Sequence, residues 1–180
     1  ELVANLFDDE NRLYVDFKDI PARVIEALIA TEDTSFFEHN GINIEAIFRA
    51  LIKDIHAMKM VEGASTITQQ LARNFFLSPE PTLMRKIKEA FLAIRIEQML
   101  TKDEILELYL NVAEWGNGVY GAEAAARHYF GKSAASLSRG EAARLAVMLP
   151  NPRKYEKSYG PRLAAHAARI QGRMQYSEVP

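Results

Sequence analysis

From Pro21 onward the chain spaces its apolar residues three and four apart and punctuates them with helix starts and stops. No other feature constrains the fold as much, because a 3.6-residue period suits helices and not strands. "PARVIEALIATED" opens with a proline at a first helical position. "NIEAIFRALIKDIHAMKM" and "GASTITQQLARNFF" follow. Next comes "TLMRKIKEAFLAIRIEQML", apolar nearly all round and therefore expected to be buried, with Pro81 just ahead of it. Thr101 with Glu104 forms a capping box for "KDEILELYLNV", and Ser138 with Glu141 forms another for "GEAARLAVMLP". Gly131 stops the helix "AEAAARHYFG", and Pro161 opens a last amphipathic helix. "EWGNGVYG" has the composition of a glycine-punctuated loop, and "RLYVDF" alternates like a short strand. The chain is thus expected to be mainly α.

With 180 residues there is enough chain for one sizeable domain. A composition 48% hydrophobic and 26% charged is that of a soluble globular protein. The absence of cysteine leaves no disulfide framework and no cysteine-based metal site. No apolar run approaches the roughly 18 residues of a spanning helix. No signal peptide stands at Glu1, and the abrupt start at "ELVANLF" suggests that an upstream segment was removed. Charge is uneven: residues 1–62 hold 6 Lys/Arg against 13 Asp/Glu, whereas residues 124–180 hold 10 against 3. The basic C-terminal third is either a solvated surface or a face turned to an anionic substrate or membrane.

Three stretches could carry chemistry. In "GASTITQQLARNFF", Ile67, Leu71 and Phe75 give a core stripe, but the other face carries Thr66, Gln69, Gln70 and Arg73 without Glu or Lys. Solvated helix faces favour charged helix formers. Hydroxyls and amides match sugar hydroxyls and acetamido groups, and Arg matches phosphate oxygens. Gly63 and Ala64 allow close approach to the backbone, and Ser65 or Thr66 can cap the helix, whose N-terminus attracts anions. A ligand part sugar and part phosphate fits this face; a polar helix–helix contact is the alternative. In "ATEDTSFFEHNG", Glu32 and Asp33 end an apolar helix and precede Phe36, Phe37, His39 and Gly41. A carboxylate near aromatic surface suits a general acid or base, and ordinary acidic residues at a helix end are the alternative. In "RKIKEAFLAIRIEQML", Glu89 has Leu92, Ala93 and Ile96 on its C-terminal side and Arg85 and Lys86 on the other. A structural ion pair and a catalytic role both fit. No serine is followed three residues later by lysine, so an acylating transpeptidase motif is missing. His39, His56, His128 and His166 are too scattered for a metal cluster.

Taken in order, these stretches resemble family 51 glycosyltransferases, the peptidoglycan glycosyltransferases found alone or as the N-terminal half of bifunctional penicillin-binding proteins. "EDTSFFEHNG", "GASTITQQLARN", "RKIKEAFLAIRIE", "EILELYLN" and "GVYGAEAAARHYFGK" look like the family's five motifs, and the match covers about residues 20–155. The resemblance implies a single domain over residues 1–180, without a transpeptidase domain. It implies a mainly α, lysozyme-like two-lobed fold with a small amphiphilic membrane-facing lobe. In that lobe Phe48, Leu51, Ile52, Ile55, Met58 and Met60 would contact lipid.

The implied reaction polymerises lipid II into β-1,4 glycan, with inversion at the donor anomeric carbon and release of polyprenyl diphosphate. By resemblance Glu32 is the base for the acceptor 4-hydroxyl, and Glu89 assists around the leaving diphosphate or a bound metal. Asp33, Phe36, His39, Gly41, Ser65, Thr66, Gln69, Gln70, Arg73, Arg85, Lys86, Asn111 and Tyr120 would bind substrate. No metal ligand set is assigned; a divalent cation such as Mg2+ stays open as a cofactor. The implied partners are lipid II, the growing lipid-linked glycan, the membrane surface and other cell-wall synthesis proteins, with no nucleic acid. The implied place is the outer face of the bacterial cell membrane, with an anchor absent from this chain, and the family is inhibited by moenomycin. Three positions depart from the pattern: Ala64 stands for a second glycine, Asn40 for an aromatic residue, and Pro81 for a cation that would contact diphosphate. A lysozyme-like hydrolase or lytic enzyme and a non-catalytic membrane-surface module remain the alternatives.

Overall fold

The computed structural model describes residues 11–49, 65–77 and 82–177. These residues are mainly helical, in keeping with the periodicity and with a lysozyme-like helical domain. The chain divides into two compact units, one formed by Glu1–Thr34 with Leu106–Pro180 and the other by Ser35–Ile105.

In the discontinuous unit the helix Ala22–Glu32 buries Val24, Ile25, Ala27, Leu28, Ile29 and Ala30. It packs on the helix Arg139–Ala146, which contributes Ala142, Ala143, Leu145 and Ala146 to the same core. Alanines on both faces let the two backbones approach, so the larger Leu28 and Ile29 are fully enclosed. Each such side chain contributes about 1.5–3 kcal/mol. The contact is fastened at its edges: Arg23 donates to the Leu137 carbonyl at 2.6 Å, and Arg139 pairs with Glu26 at 2.7 Å. The helix Pro161–Arg173 completes the layer through Ala167 and Ile170.

A three-stranded sheet of minimal length lies in this unit, in the order β1 (Asn11–Arg12), β3 (Val119–Tyr120), β2 (Glu114–Gly116). β1 runs parallel to β3, and β2 antiparallel. The "EWGNGVYG" stretch is therefore a hairpin and not only a loop, with Gly118 at φ 74° in its turn. The expected strand in "RLYVDF" is confined to Arg12; the rest is held by side chains. Asn111 accepts from the Val15 N–H and donates to the Val15 carbonyl, both at 2.8 Å. Glu107 accepts from the Phe17 N–H at 2.8 Å and from the Tyr14 hydroxyl.

Both capping boxes form as expected, at Thr101/Glu104 and at Ser138/Glu141. Gly131 closes Ala122–Phe130 in the left-handed conformation, and Pro161 stands at the first turn of the last helix. Pro21 is displaced by one residue: it precedes the first helical turn instead of occupying it. The short helix Pro152–Lys157, capped by Asn151, carries too few turns to show a period and was not anticipated.

In the Ser35–Ile105 unit the helix Ile67–Phe76 packs on Leu83–Met99. Ile67, Leu71 and Ala72 are buried, but Phe75, expected in the core stripe, is about half exposed. The larger correction concerns Leu83–Met99. Only Glu89 and Ala93 are buried, while Leu83, Met84, Ile87, Phe91 (65%), Ile94 and Met99 face outward. An all-round apolar composition marks a helix that avoids water, not one that protein must cover. Of the residues assigned to a small lobe, Phe48 is exposed, and Leu51, Ile52, Ile55, Met58 and Met60 lie outside the described residues. Among the described residues no helix is long and apolar enough to cross a membrane.

Candidate active site

The two glutamates belong to different units, Glu32 to the discontinuous one and Glu89 to Ser35–Ile105. Glu32 is the last residue of Ala22–Glu32 and is half-buried; Asp33 is its C-cap, buried, with its N–H donating to the Ile29 carbonyl. No basic residue of the helix itself stands in that last turn, where the helix dipole is negative.

Glu89 is completely buried, and each of its oxygens faces a cation. Arg85 Nε lies 2.9 Å from Oε1, and Lys86 Nζ lies 3.0 Å from Oε2. The i,i+4 and i,i+3 spacing on one helix makes this possible. Lys86, nearly half exposed, also donates to the Ser65 hydroxyl at 2.7 Å. A carboxylate withdrawn from water survives only if it is paired, and here Lys86 donates to Oε2 while Arg85 balances Oε1 by charge. The same arrangement tests a divalent cation at Glu89 and finds a poor fit: the Arg85 guanidinium and the Lys86 ammonium already face the two oxygens and would repel added positive charge. Among the described residues no group of three or more His, Cys, Asp or Glu is gathered.

The helix that raised the ligand question is sorted by its cap. Thr66 accepts from the Gln69 N–H and donates to the Gly41 carbonyl, while Gln69 Oε1 accepts from the Thr66 N–H. Both residues are buried, so their polar atoms serve the capping box and the loop. Gln70 and Arg73 are half-buried on the same helix, as is Ser65 just ahead of it. Pro81 lies outside the described residues.

Several other residues expected to touch substrate have contacts within the protein. Phe36 is fully buried, edge-on to Phe37 and His39. Gly41 has φ 92°, and a Cβ there would meet the Ala93 backbone at 2.8 Å, so its chain lies directly on the Leu83–Met99 helix. Asn111 is buried, and its amide is committed to Val15 and the Glu107 carbonyl. Tyr120, in β3 opposite Glu114, is half-buried. His39 is half-buried, with Nδ1 accepting from the Gly41 N–H at 3.2 Å.

Sequence reasoning missed the residues that organise this frame: Thr68, Glu97, Lys102 and Glu107. Their types and positions match ordinary helix surface, so only the tertiary contacts could reveal them.

Residues 1–175 match the family model described as Transglycosylase. The chain belongs to the transglycosylase family. It is similar to a biosynthetic peptidoglycan transglycosylase of Azoarcus sp. (strain BH72), at 55% identity over 93% of this chain and 72% of the relative. A protein of the same description from Aromatoleum aromaticum (strain DSM 19018 / LMG 30748 / EbN1) is 53% identical over 100% of this chain and 79% of its own length. Penicillin-binding protein 1A of Escherichia coli (strain K12) is 52% identical over 88% of this chain and 19% of its own. The chain is an enzyme with peptidoglycan glycosyltransferase activity, taking lipid II and glycan as substrate and working at the cell envelope. The hydrolase and the non-catalytic module give way to this reading, because the relatives are named for biosynthesis.

Proposed function

We propose that Glu32 is the general base of the polymerisation, taking the proton from the 4-hydroxyl of the acceptor lipid II as that oxygen attacks the donor anomeric carbon. The attack inverts the α-linked diphosphate into a β-1,4 bond, and polyprenyl diphosphate leaves. A carboxylate at the negative end of a helix suits a proton acceptor. Asp33 caps the same helix, and in this reading the 35–41 loop, with His39, is an acceptor-binding segment. Arg85, Lys86, Arg73, Gln70 and Ser65 form the donor side, where cations and directional amides meet developing phosphate charge.

The observation that carries the donor-side reading is the buried Glu89 with Arg85 and Lys86 against it. It supports for Glu89 a role other than direct contact, in which it anchors the two cations so that their remaining donors are preset for diphosphate. Both units carry motif residues, which supports a single glycosyltransferase domain. The exposed apolar side chains of Leu83–Met99, with Ile44, Phe48, Phe75 and Phe76 from the same unit, support a membrane surface as partner. A lipid-linked substrate in turn supports the outer face of the bacterial membrane as the place of action.

The experiment is polymerisation of labelled lipid II in detergent by Glu32→Gln. Loss of a general base typically lowers the rate about 10²- to 10⁴-fold, with the unfolding temperature retained. Near-normal chain growth by the folded variant would overturn the assignment.

A further inference from the structure

Lys102 is the first residue of the helix Lys102–Val112, where a cation opposes the helix dipole. Its ammonium is drawn inward to a crowded set of partners. Nζ donates to the His39 carbonyl at 2.7 Å and to Glu97 Oε1 at 2.8 Å, and it stands 4.3 Å from the centre of the Phe36 ring. Glu97 Oε1 also accepts from the Thr68 hydroxyl at 2.6 Å. The Glu97 side chain is 6% exposed and that of Lys102 21%, while Thr68 and Phe36 are fully buried. One ammonium therefore joins the 35–41 loop, at two points, to the helices Ile67–Phe76, Leu83–Met99 and Lys102–Val112.

The loop needs such a fastening. Residues 34–41 form turns and bends without helix or strand, so their shape depends on contacts from outside. One end is held where Gly41 lies on Ala93 and where Thr66 donates to the Gly41 carbonyl. The other hold is Lys102, which grips the peptide of His39 itself. Both partners of the ammonium on this loop, a carbonyl oxygen and a ring face, prefer a cation to any neutral group.

We propose that Lys102 is a positioning residue of the polymerisation reaction: by fixing the His39 peptide it sets the 35–41 loop in the geometry the acceptor requires. This rests on the reading above in which that loop meets the acceptor. Nothing in the sequence distinguishes Lys102 from a solvated helix-surface lysine, and the structure alone assigns it this place.

The test is steady-state polymerisation of lipid II in detergent by Lys102→Met and Lys102→Arg, with folded fraction measured for each. Methionine keeps the unbranched stem and removes the charge. Displacing a positioned group by about an ångström lowers turnover on the order of 100-fold. Lys102→Met is therefore expected to lose about 10- to 100-fold in kcat with KM for lipid II little changed, and Lys102→Arg to recover most of it. A folded Lys102→Met with kcat within about twofold of the parent, or a loss no larger than its loss of folded fraction, would overturn the proposal. Should Lys102→Met fail to fold, Phe36→Leu decides: it keeps apolar volume but removes the ring face beneath the ammonium. Reduced kcat in that folded protein supports the role, and unchanged kcat overturns it. Glu32→Gln in the same assay separates the two readings. If Glu32→Gln stays active, the base assignment fails whatever Lys102 does; if only the Lys102 variants stay active, the positioning role fails alone.

Discussion

Glu89 illustrates what a single position can hide. Its spacing from Arg85 and Lys86 made an ion pair or a catalytic role equally readable, because sequence gives the neighbours along a helix but not the depth at which they meet. With the carboxylate fully buried, Glu89→Gln leaves Arg85, itself mostly enclosed, without its countercharge. Removing one partner of a buried pair costs about 3–5 kcal/mol, and the half-exposed Lys86 lowers that toward the smaller figure. Thermal unfolding should therefore rank Glu89→Gln well below Glu32→Gln; the opposite order would contradict the burial. Glu141 gives a second test. Lys132 donates to it, and the Ser138 N–H does so next, holding its carboxyl down from 4.5 to about 2. A lowered folded value means that the stabilisation is present above 4.5 and is lost as pH falls from there toward 2. Glu141→Gln should flatten the fall of unfolding temperature in that acid window, and an unchanged slope would show that the pairing does not hold in solution.

Elements were most legible where their signals are local. Thr101 with Glu104, Ser138 with Glu141, Gly131 and Pro161 each act within a few residues, so sequence spacing was enough to place them. What stayed hidden depends on partners distant in sequence. Helical spacing shows Thr66 on the polar face but cannot say that the Gly41 carbonyl accepts from its hydroxyl. The bond of Asn111 to Val15 could not be read from the sequence, because the two lie 96 residues apart. Replacing Asn111 by Ala should cost about 2–3 kcal/mol, since it strands both polar groups of the Val15 peptide as well as the Glu107 carbonyl's bond. Chemical denaturation of the variant checks this; a change under about 0.5 kcal/mol would mean that water replaces the amide. Gly121 has φ 88°, and a Cβ there would lie 2.9 Å from the Asn111 carbonyl oxygen. Gly121→Ala should therefore destabilise by about 2 kcal/mol or more through backbone strain at the entry to Ala122–Phe130.

Across the whole molecule, apolar surface is distributed unequally. Ile87 and Phe91 are more than half exposed on Leu83–Met99, of which Glu89 and Ala93 are the buried residues. Changing both to Gln should leave unfolding temperature nearly unchanged yet weaken association with phospholipid vesicles by about tenfold or more, given about 1.5–3 kcal/mol for each buried side chain. Unaltered vesicle association would argue against a lipid contact for this helix. The division of the chain has a consequence for biogenesis. Ala22–Glu32 is made early, yet its buried face is covered by Arg139–Ala146 and fastened by Leu137, Arg139 and, at Glu26, by Ser177. Residues 35–105, by contrast, are contiguous and can find their partners first. During synthesis, then, the helix that ends in Glu32 must wait, apolar and uncovered, until more than a hundred further residues have emerged. Such long-range closure is slow, and it exposes the waiting segment to aggregation and to chaperones. The nascent chain would acquire its buried Glu89 well before Glu32 has a settled place, so a product ending before Leu137 would be folded only in part.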